Sequence, residues 1–291
     1  MAAAAWAIAA SMSLRKGLPP HTIIDITPDV ETIGEMVGMG GTCDLYRGRL
    51  KNGRAIAIKR PRVMDLDSAV VRRFNREADI WRKLRHPKIL ELLGTYETEG
   101  YIHLVAPWAD NGDAYNYVRN HPNLSYLSRK TILYDLADAL SYLHRKQIVH
   151  GDLKLVNVVL NRDGEALLCD FGLSKLFDTN TSDVLKGAGT YRWTAPEIHN
   201  NEPKTAAGDM YAFSMCIVEI LTGKVPFHQT RAAAAVILDI VTGKRPAKTP
   251  EWSPDGCSYA GLWGIAEQGW AVDPSERPSA QEVMARLFEI E

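Results

Sequence analysis

The stretch His150-Gly151-Asp152-Leu153-Lys154-Leu155-Val156-Asn157, with Asp170-Phe171-Gly172 following 18 residues after Asp152, decides how this chain of 291 residues is read. Acids and an amide at these spacings suit the transfer of a phosphoryl group. That reaction needs a carboxylate to orient the attacking hydroxyl and accept its proton, and oxygen ligands for magnesium, a hard cation. Asp152 suits the first role, and Asn157 and Asp170 suit the second. Lys154, two residues after Asp152, can set positive charge beside the phosphoryl group as it moves.

Upstream, Gly38-Met39-Gly40-Gly41-Thr42-Cys43 falls between two predicted strands. Gly38, Gly40 and Gly41 would let backbone amides close over a phosphate chain, although any Gly-rich hairpin has the same look. Ala57-Ile58-Lys59 ends the third predicted strand, and Glu77 lies 18 residues on, on the core side of an amphipathic helix near Ala78 and Trp81. An inward lysine needs an opposite charge or a phosphate, and Glu77 can hold the Lys59 ammonium against nucleotide oxygens. The alternative is a solvated surface pair, the commoner fate of these residue types.

The 46% hydrophobic and 24% charged residues fit a chain with a real core and exclude disorder or a disulfide-knotted miniprotein. Lys and Arg number 34 against 35 Asp and Glu, so bulk charge gives no nucleic acid or anionic membrane as partner. Cys43, Cys169, Cys216 and Cys257 form no CxxC pair and the histidines no HExxH. A reducing, cytoplasmic compartment without structural zinc is the expectation. The apolar run from Met1 to Ala10 is short of the roughly 20 residues of a membrane span, and residues 1–30 read as a leader or linker.

From Thr32 to about Tyr101 short strands prevail, and Asn52-Gly53 turns Leu45–Leu50 into Arg54–Lys59. One helix interrupts them, with Val70, Val71, Phe74, Ala78, Trp81 and Leu84 at helical spacing. Beyond Asp113 the period is helical. Ile132, Leu136, Leu140 and Leu143 form one stripe, Tyr211 to Leu221 is apolar nearly all round, and Tyr259–Trp270 and Ala280–Glu291 fit further helices. Val158–Leu160 and Ala166–Cys169 are strand-like.

The glycine loop, Ala57-Ile58-Lys59, the helix glutamate, the segment from His150 to Asn157, Asp170-Phe171-Gly172 and Ala195-Pro196-Glu197 occur in the order found in eukaryotic protein kinases. The chain resembles that family from about Glu31 to Phe288. The block from Gly189 to Glu197, with Asp209 to Ser214, is most similar to the tyrosine-kinase-like branch of serine/threonine kinases. The resemblance implies a two-lobed α+β fold. It consists of a small antiparallel sheet lobe with one helix over 31–107, a hinge over 108–112 and a larger, mainly helical lobe over 113–291, with ATP in the cleft. It implies catalytic roles for Asp152, Lys154, Lys59 and Glu77, and magnesium held by Asn157 and Asp170. Leu45, Ala57 and Val159 would enclose adenine, Ala106 would guard the back of the pocket, and the Pro107 oxygen and Ala109 amide would bond to the base. Glu197 and Arg277 would form a buried ion pair, Asp209 would brace the catalytic loop, and Trp81, Leu92, His150 and Phe171 would stack in a column.

The function so implied is ATP- and magnesium-dependent transfer of the γ-phosphoryl group to serine or threonine hydroxyls of a protein substrate in signalling. Lys154 and Thr190 favour that class, while Arg192-Trp193 resembles tyrosine kinases and leaves dual specificity open. Two departures keep a second reading, a pseudokinase acting as an interaction scaffold. Cys43 replaces the third loop glycine, and Gly151 replaces the arginine that pairs with a phosphate on the activation segment. Activity is then expected not to depend on phosphorylating Thr179, Thr181, Ser182 or Thr190, with Arg72, Arg73 or Lys175 as the cations left to stand in. From Asp44 to Glu91 there are 14 Lys or Arg against 6 Asp or Glu, a solvated helix face or a docking surface for an acidic partner.

Overall fold

A computed structural model describes residues 24–39, 43–62, 69–98, 101–176 and 190–290. Two compact units emerge: one runs up to Ala109 and takes in Asp170–Leu173, and the other comprises Asp110–Cys169 and Ser174–Glu291.

The first unit is an antiparallel sheet of β1 (Val30–Met39), β2 (Cys43–Leu50), β3 (Ala55–Pro61), β4 (Gly94–Thr98) and β5 (Tyr101–Pro107), ordered β1-β2-β3-β5-β4. The Asn52-Gly53 turn forms as expected. Gly53 has φ +85°, its amide donates to the Leu50 carbonyl at 2.8 Å, and the Asn52 side chain accepts from the Arg54 amide. Alternation in β3 buries Ile56 and Ile58 completely, and they pack with Ile26, Leu50 and Val105. Each such side chain contributes about 1.5–3 kcal/mol when fully buried. Helix α1 (Ala69–Trp81) buries Phe74, Glu77, Ala78 and Trp81, a helical spacing that matches the expected face.

The sheet begins earlier than the expected boundary at residue 31. Ile24 accepts from the Thr95 amide, Ile26 donates to the Thr95 carbonyl, and the Thr27 hydroxyl accepts from the Glu97 amide, each at 2.9 Å. β4 is an edge strand, and its open backbone groups take up this segment. Gly94 makes the approach feasible, since a Cβ there would lie 2.3 Å from the Ile24 oxygen. Residues 24–26 therefore pair with β4, and Thr27–Asp29 form a short 3-10 turn that leads into β1.

The second unit is mainly helical. It contains α2 (Ala114–Asn120), α3 (Tyr126–Arg145), α4 (Pro196–His199), α5 (Ala206–Thr222), α6 (Ala233–Val241), α7 (Ala260–Gly269) and α8 (Ala280–Glu289). Ser125 caps α3 through the Ser128 amide, and the expected stripe of Ile132, Leu136, Leu140 and Leu143 is buried. Thr205 caps α5 at its start and Gly223, at φ +64°, ends it. The interior of α5 is buried on every side, Asp209 and Glu219 included. Helix α3 packs on α8, and α5 on α7. Between the helices lie two small ladders, β6 (Ile148–Val149) with β9 (Lys175–Leu176), and β7 (Val158–Leu160) with β8 (Ala166–Leu168). Among the described residues no helix is long and apolar enough to cross a membrane. The α+β architecture expected from sequence is the one observed.

Candidate active site

In the sheet unit, β3 presents Lys59 between Leu45 of β2 and Leu104 of β5. Its Nζ lies 2.5 Å from Glu77 Oε1 and 3.1 Å from Asp170 Oδ1. Burial pulls the ammonium toward neutrality, but the carboxylates of Asp170 and Glu77 outweigh it and hold the Lys59 pKa well above its ordinary value. Asp170 sits at φ +64°, a left-handed backbone that costs a non-glycine residue about 1–3 kcal/mol. The next residue, Phe171, is fully buried with its ring centroid 6.1 Å from that of Trp81.

The residues expected around adenine fall in register on the same sheet: Ala57 faces Ala106, Ile56 faces Pro107, and Gly38 faces Leu45. Ala106 is buried. Trp108 donates to the Ala55 carbonyl at 3.1 Å, while the Ala109 amide has no partner among the described residues. Gly40 and Gly41 lie outside the described residues.

The second unit assembles the other group. The Asp209 carboxylate accepts from the His150 and Gly151 amides, both at 2.8 Å, and lies 3.0 Å from His144 Nε2. Burial alone would raise this carboxyl; the hydrogen bond and charge of His144, the charge of His150 and the Gly151 amide together hold it below its ordinary value. Directly after this brace in sequence, Asp152 receives Lys154 Nζ at 3.0 Å and Asn157 Nδ2 at 3.2 Å on its Oδ2. The same lysine donates to Thr190 Oγ1 at 3.1 Å. Val159, half-buried on β7, pairs with Leu167.

The donor chemistry fits magnesium. Asn157 spends its Nδ2 on the Asp152 carbonyl and carboxylate, and its Oδ1 accepts no hydrogen bond among the described residues. Asp170 adds a carboxylate whose side chain is 28% exposed. Both are hard oxygen ligands of the kind magnesium takes.

Glu197 and Arg277 form a bidentate ion pair at 2.7 and 2.8 Å, and the guanidinium also donates to the carbonyls of Ala271 and Ala207. Arg192, which leaves dual specificity open on sequence grounds, is buried, and its guanidinium donates to the carbonyls of Pro226, Phe227 and Thr230. It is a structural tie to the segment after α5. Lys175 is also buried, opposite Val149. The Arg72 and Arg73 side chains lie outside the described residues, as do Thr179, Thr181 and Ser182. On the basic helix face, Arg82 and Lys83 both engage Asp79.

Sequence reasoning missed two residues at the loop from His150 to Asn157. Glu219 of α5, 1% exposed, accepts from the Leu155 amide at 3.1 Å and from the Trp193 indole at 2.9 Å on the same oxygen. Burial pushes its carboxyl up to about 8, against the pull of those two donors and of Lys154. A lone acid inside the apolar run from Tyr211 to Leu221 was the available signal. Lys204 donates to the Gly151 carbonyl at 2.7 Å, and nothing in its own segment marks it.

With this geometry stands the similarity to known proteins. The protein kinase domain pattern matches residues 32–288, and the chain belongs to that family. It is 32% identical over 267 residues to serine/threonine-protein kinase VIK of Arabidopsis thaliana, covering 88% of this chain and 59% of that protein. It is 31% identical over 284 residues to serine/threonine-protein kinase TNNI3K of Homo sapiens, covering 95% and 33%. A probable serine/threonine-protein kinase of Dictyostelium discoideum is 28% identical over 254 residues, covering 87% and 50%. The chain thus spans between a third and three fifths of the length of these relatives. They accord with the tyrosine-kinase-like resemblance of the segment from Gly189 to Glu197.

Proposed function

We propose that the chain is an active protein kinase that transfers the γ-phosphoryl group of ATP to serine or threonine hydroxyls of a protein substrate. The observation that carries this reading is the Asp152 carboxylate, held by Lys154 and Asn157 while Lys154 also reaches Thr190. Asp152 would accept the proton of the attacking hydroxyl, and Lys154 would offset charge on the phosphoryl group in transit. Lys59, kept protonated and aimed by Glu77, would hold nucleotide phosphate oxygens. Asn157 and Asp170 would hold magnesium, which when bound neutralises phosphate charge. The Pro107 carbonyl and the unpartnered Ala109 amide would bond to adenine, within a pocket of Leu45, Ala57, Ala106 and Val159.

Serine/threonine rather than tyrosine specificity is supported by the Lys154–Thr190 contact and by the three carbonyls that occupy Arg192. The departures at Cys43 and Gly151 favour the second reading, a pseudokinase that works through its surface. Phosphate incorporation into a generic serine/threonine substrate with Mg-ATP separates the two. Turnover supports the kinase, and a Mg-ATP thermal shift without turnover supports the scaffold.

A further inference from the structure

The position where the kinase resemblance leads one to expect arginine is Gly151 here, at φ +75°, a conformation that an L side chain adopts only under strain. No charge comes from the loop itself at this point. One arrives from elsewhere: Lys204, in the connection between α4 and α5, donates its ammonium to the Gly151 carbonyl at 2.7 Å.

That carbonyl belongs to the peptide group whose other end is the Asp152 amide, and the Asp152 amide donates to His150 Nδ1 at 3.3 Å. The peptide plane that carries the catalytic carboxylate is therefore held at both ends. The preceding two amides, of His150 and Gly151, are bound by the Asp209 carboxylate. Lys204 and Asp209 are five residues apart, and between them Thr205 fixes the start of α5 by accepting from the Gly208 amide at 3.1 Å. One short, capped stretch thus supplies an anion to the N–H groups of residues 150 and 151 and a cation to the C=O of residue 151. A hydrogen bond from an ammonium to a carbonyl is stronger than a neutral one, and its geometry is retained without any added phosphate.

We propose that Lys204 is a positioning residue for Asp152, fixing the 151–152 peptide and so the catalytic carboxylate through a contact built into the fold. It brings a cation to this loop through a backbone carbonyl, a role distinct from the phosphate partner expected of Arg72, Arg73 or Lys175. This inference rests on the kinase reading for its kinetic consequence, but its structural consequence is independent of turnover.

The test compares Lys204→Met and Lys204→Arg with the unaltered chain in Mg-ATP kinetics and in amide hydrogen exchange. Lys204→Met is expected to lower kcat about tenfold with the KM for ATP unchanged. Exchange should quicken at residues 150–153 alone, the melting temperature should hold, and Lys204→Arg should restore both readouts. Unchanged kcat and unchanged exchange at 150–153 would overturn the proposal. So would a loss of kcat accompanied by faster exchange throughout the second unit, which marks a merely structural role. If the unaltered chain shows no turnover, the kinase reading fails, and exchange at 150–153 alone decides whether Lys204 fixes the loop.

Discussion

Lys59 and Glu77 are 18 residues apart in sequence and meet at 2.5 Å, with the Glu77 side chain only 3% exposed. An acid so deeply placed has its cost offset by the ammonium it faces, and together they fix where a phosphate oxygen would be held. Glu77→Gln keeps the shape and removes the charge. It is expected to lower kcat/KM for ATP about a hundredfold, read by steady-state kinetics. An unchanged value would mean that Lys59 is positioned without Glu77.

Arg277 and Glu197 form the most buried ion pair described, with side chains 0% and 9% exposed. Removing one partner strands the other. Glu197→Ala is expected to destabilise the chain by about 3–5 kcal/mol in urea unfolding, while Glu197→Ala with Arg277→Met should cost less than the two single changes summed. Additive costs would show the pair to be energetically idle.

Glu219 carries a pH dependence. Its carboxyl is raised by burial from 4.5 to about 8, so the folded chain keeps a proton that the unfolded chain releases. This group therefore makes stability fall as pH rises from about 4.5 toward about 8, with no further loss above. Glu219→Gln should flatten that slope in melts at pH 5.5, 6.5 and 7.5. A slope identical to that of the unaltered chain would contradict the assignment.

Ala106 stands opposite Ala57 across β3 and β5 and is buried, and in the proposed kinase a side chain this small would leave room behind adenine. ATP analogues bearing a bulky N6 substituent should be used as phosphoryl donors, and Ala106→Phe should abolish their use while retaining ATP. Rejection of the analogues by a chain that uses ATP would show the pocket to be built otherwise.

How far the sequence was legible follows from where the information lay. The Asn52-Gly53 turn, the buried face of α1 and the stripe of α3 are local patterns, and each formed where the residues indicated. The clusters around Lys59 and Asp152 were legible because several motifs agree in order, although each spacing alone is weak. The pairing of residues 24–27 was not legible because their partner is the edge strand β4, some 70 residues on. Helix α6 (Ala233–Val241) was missed because alanines and aliphatics give little contrast between its faces, and Leu238 is exposed while Val236 is buried. Lys204 was invisible because no pattern in a connecting segment records which distant carbonyl a lysine will reach.

The most direct test of the whole account is ATP turnover on a serine/threonine substrate with magnesium, comparing the unaltered chain with Asp152→Asn and Lys59→Met. Phosphorylation by the unaltered chain, lowered at least a hundredfold in both variants whose folds persist, is the predicted result. No turnover from a folded, unaltered chain, or turnover that survives Asp152→Asn, would contradict it.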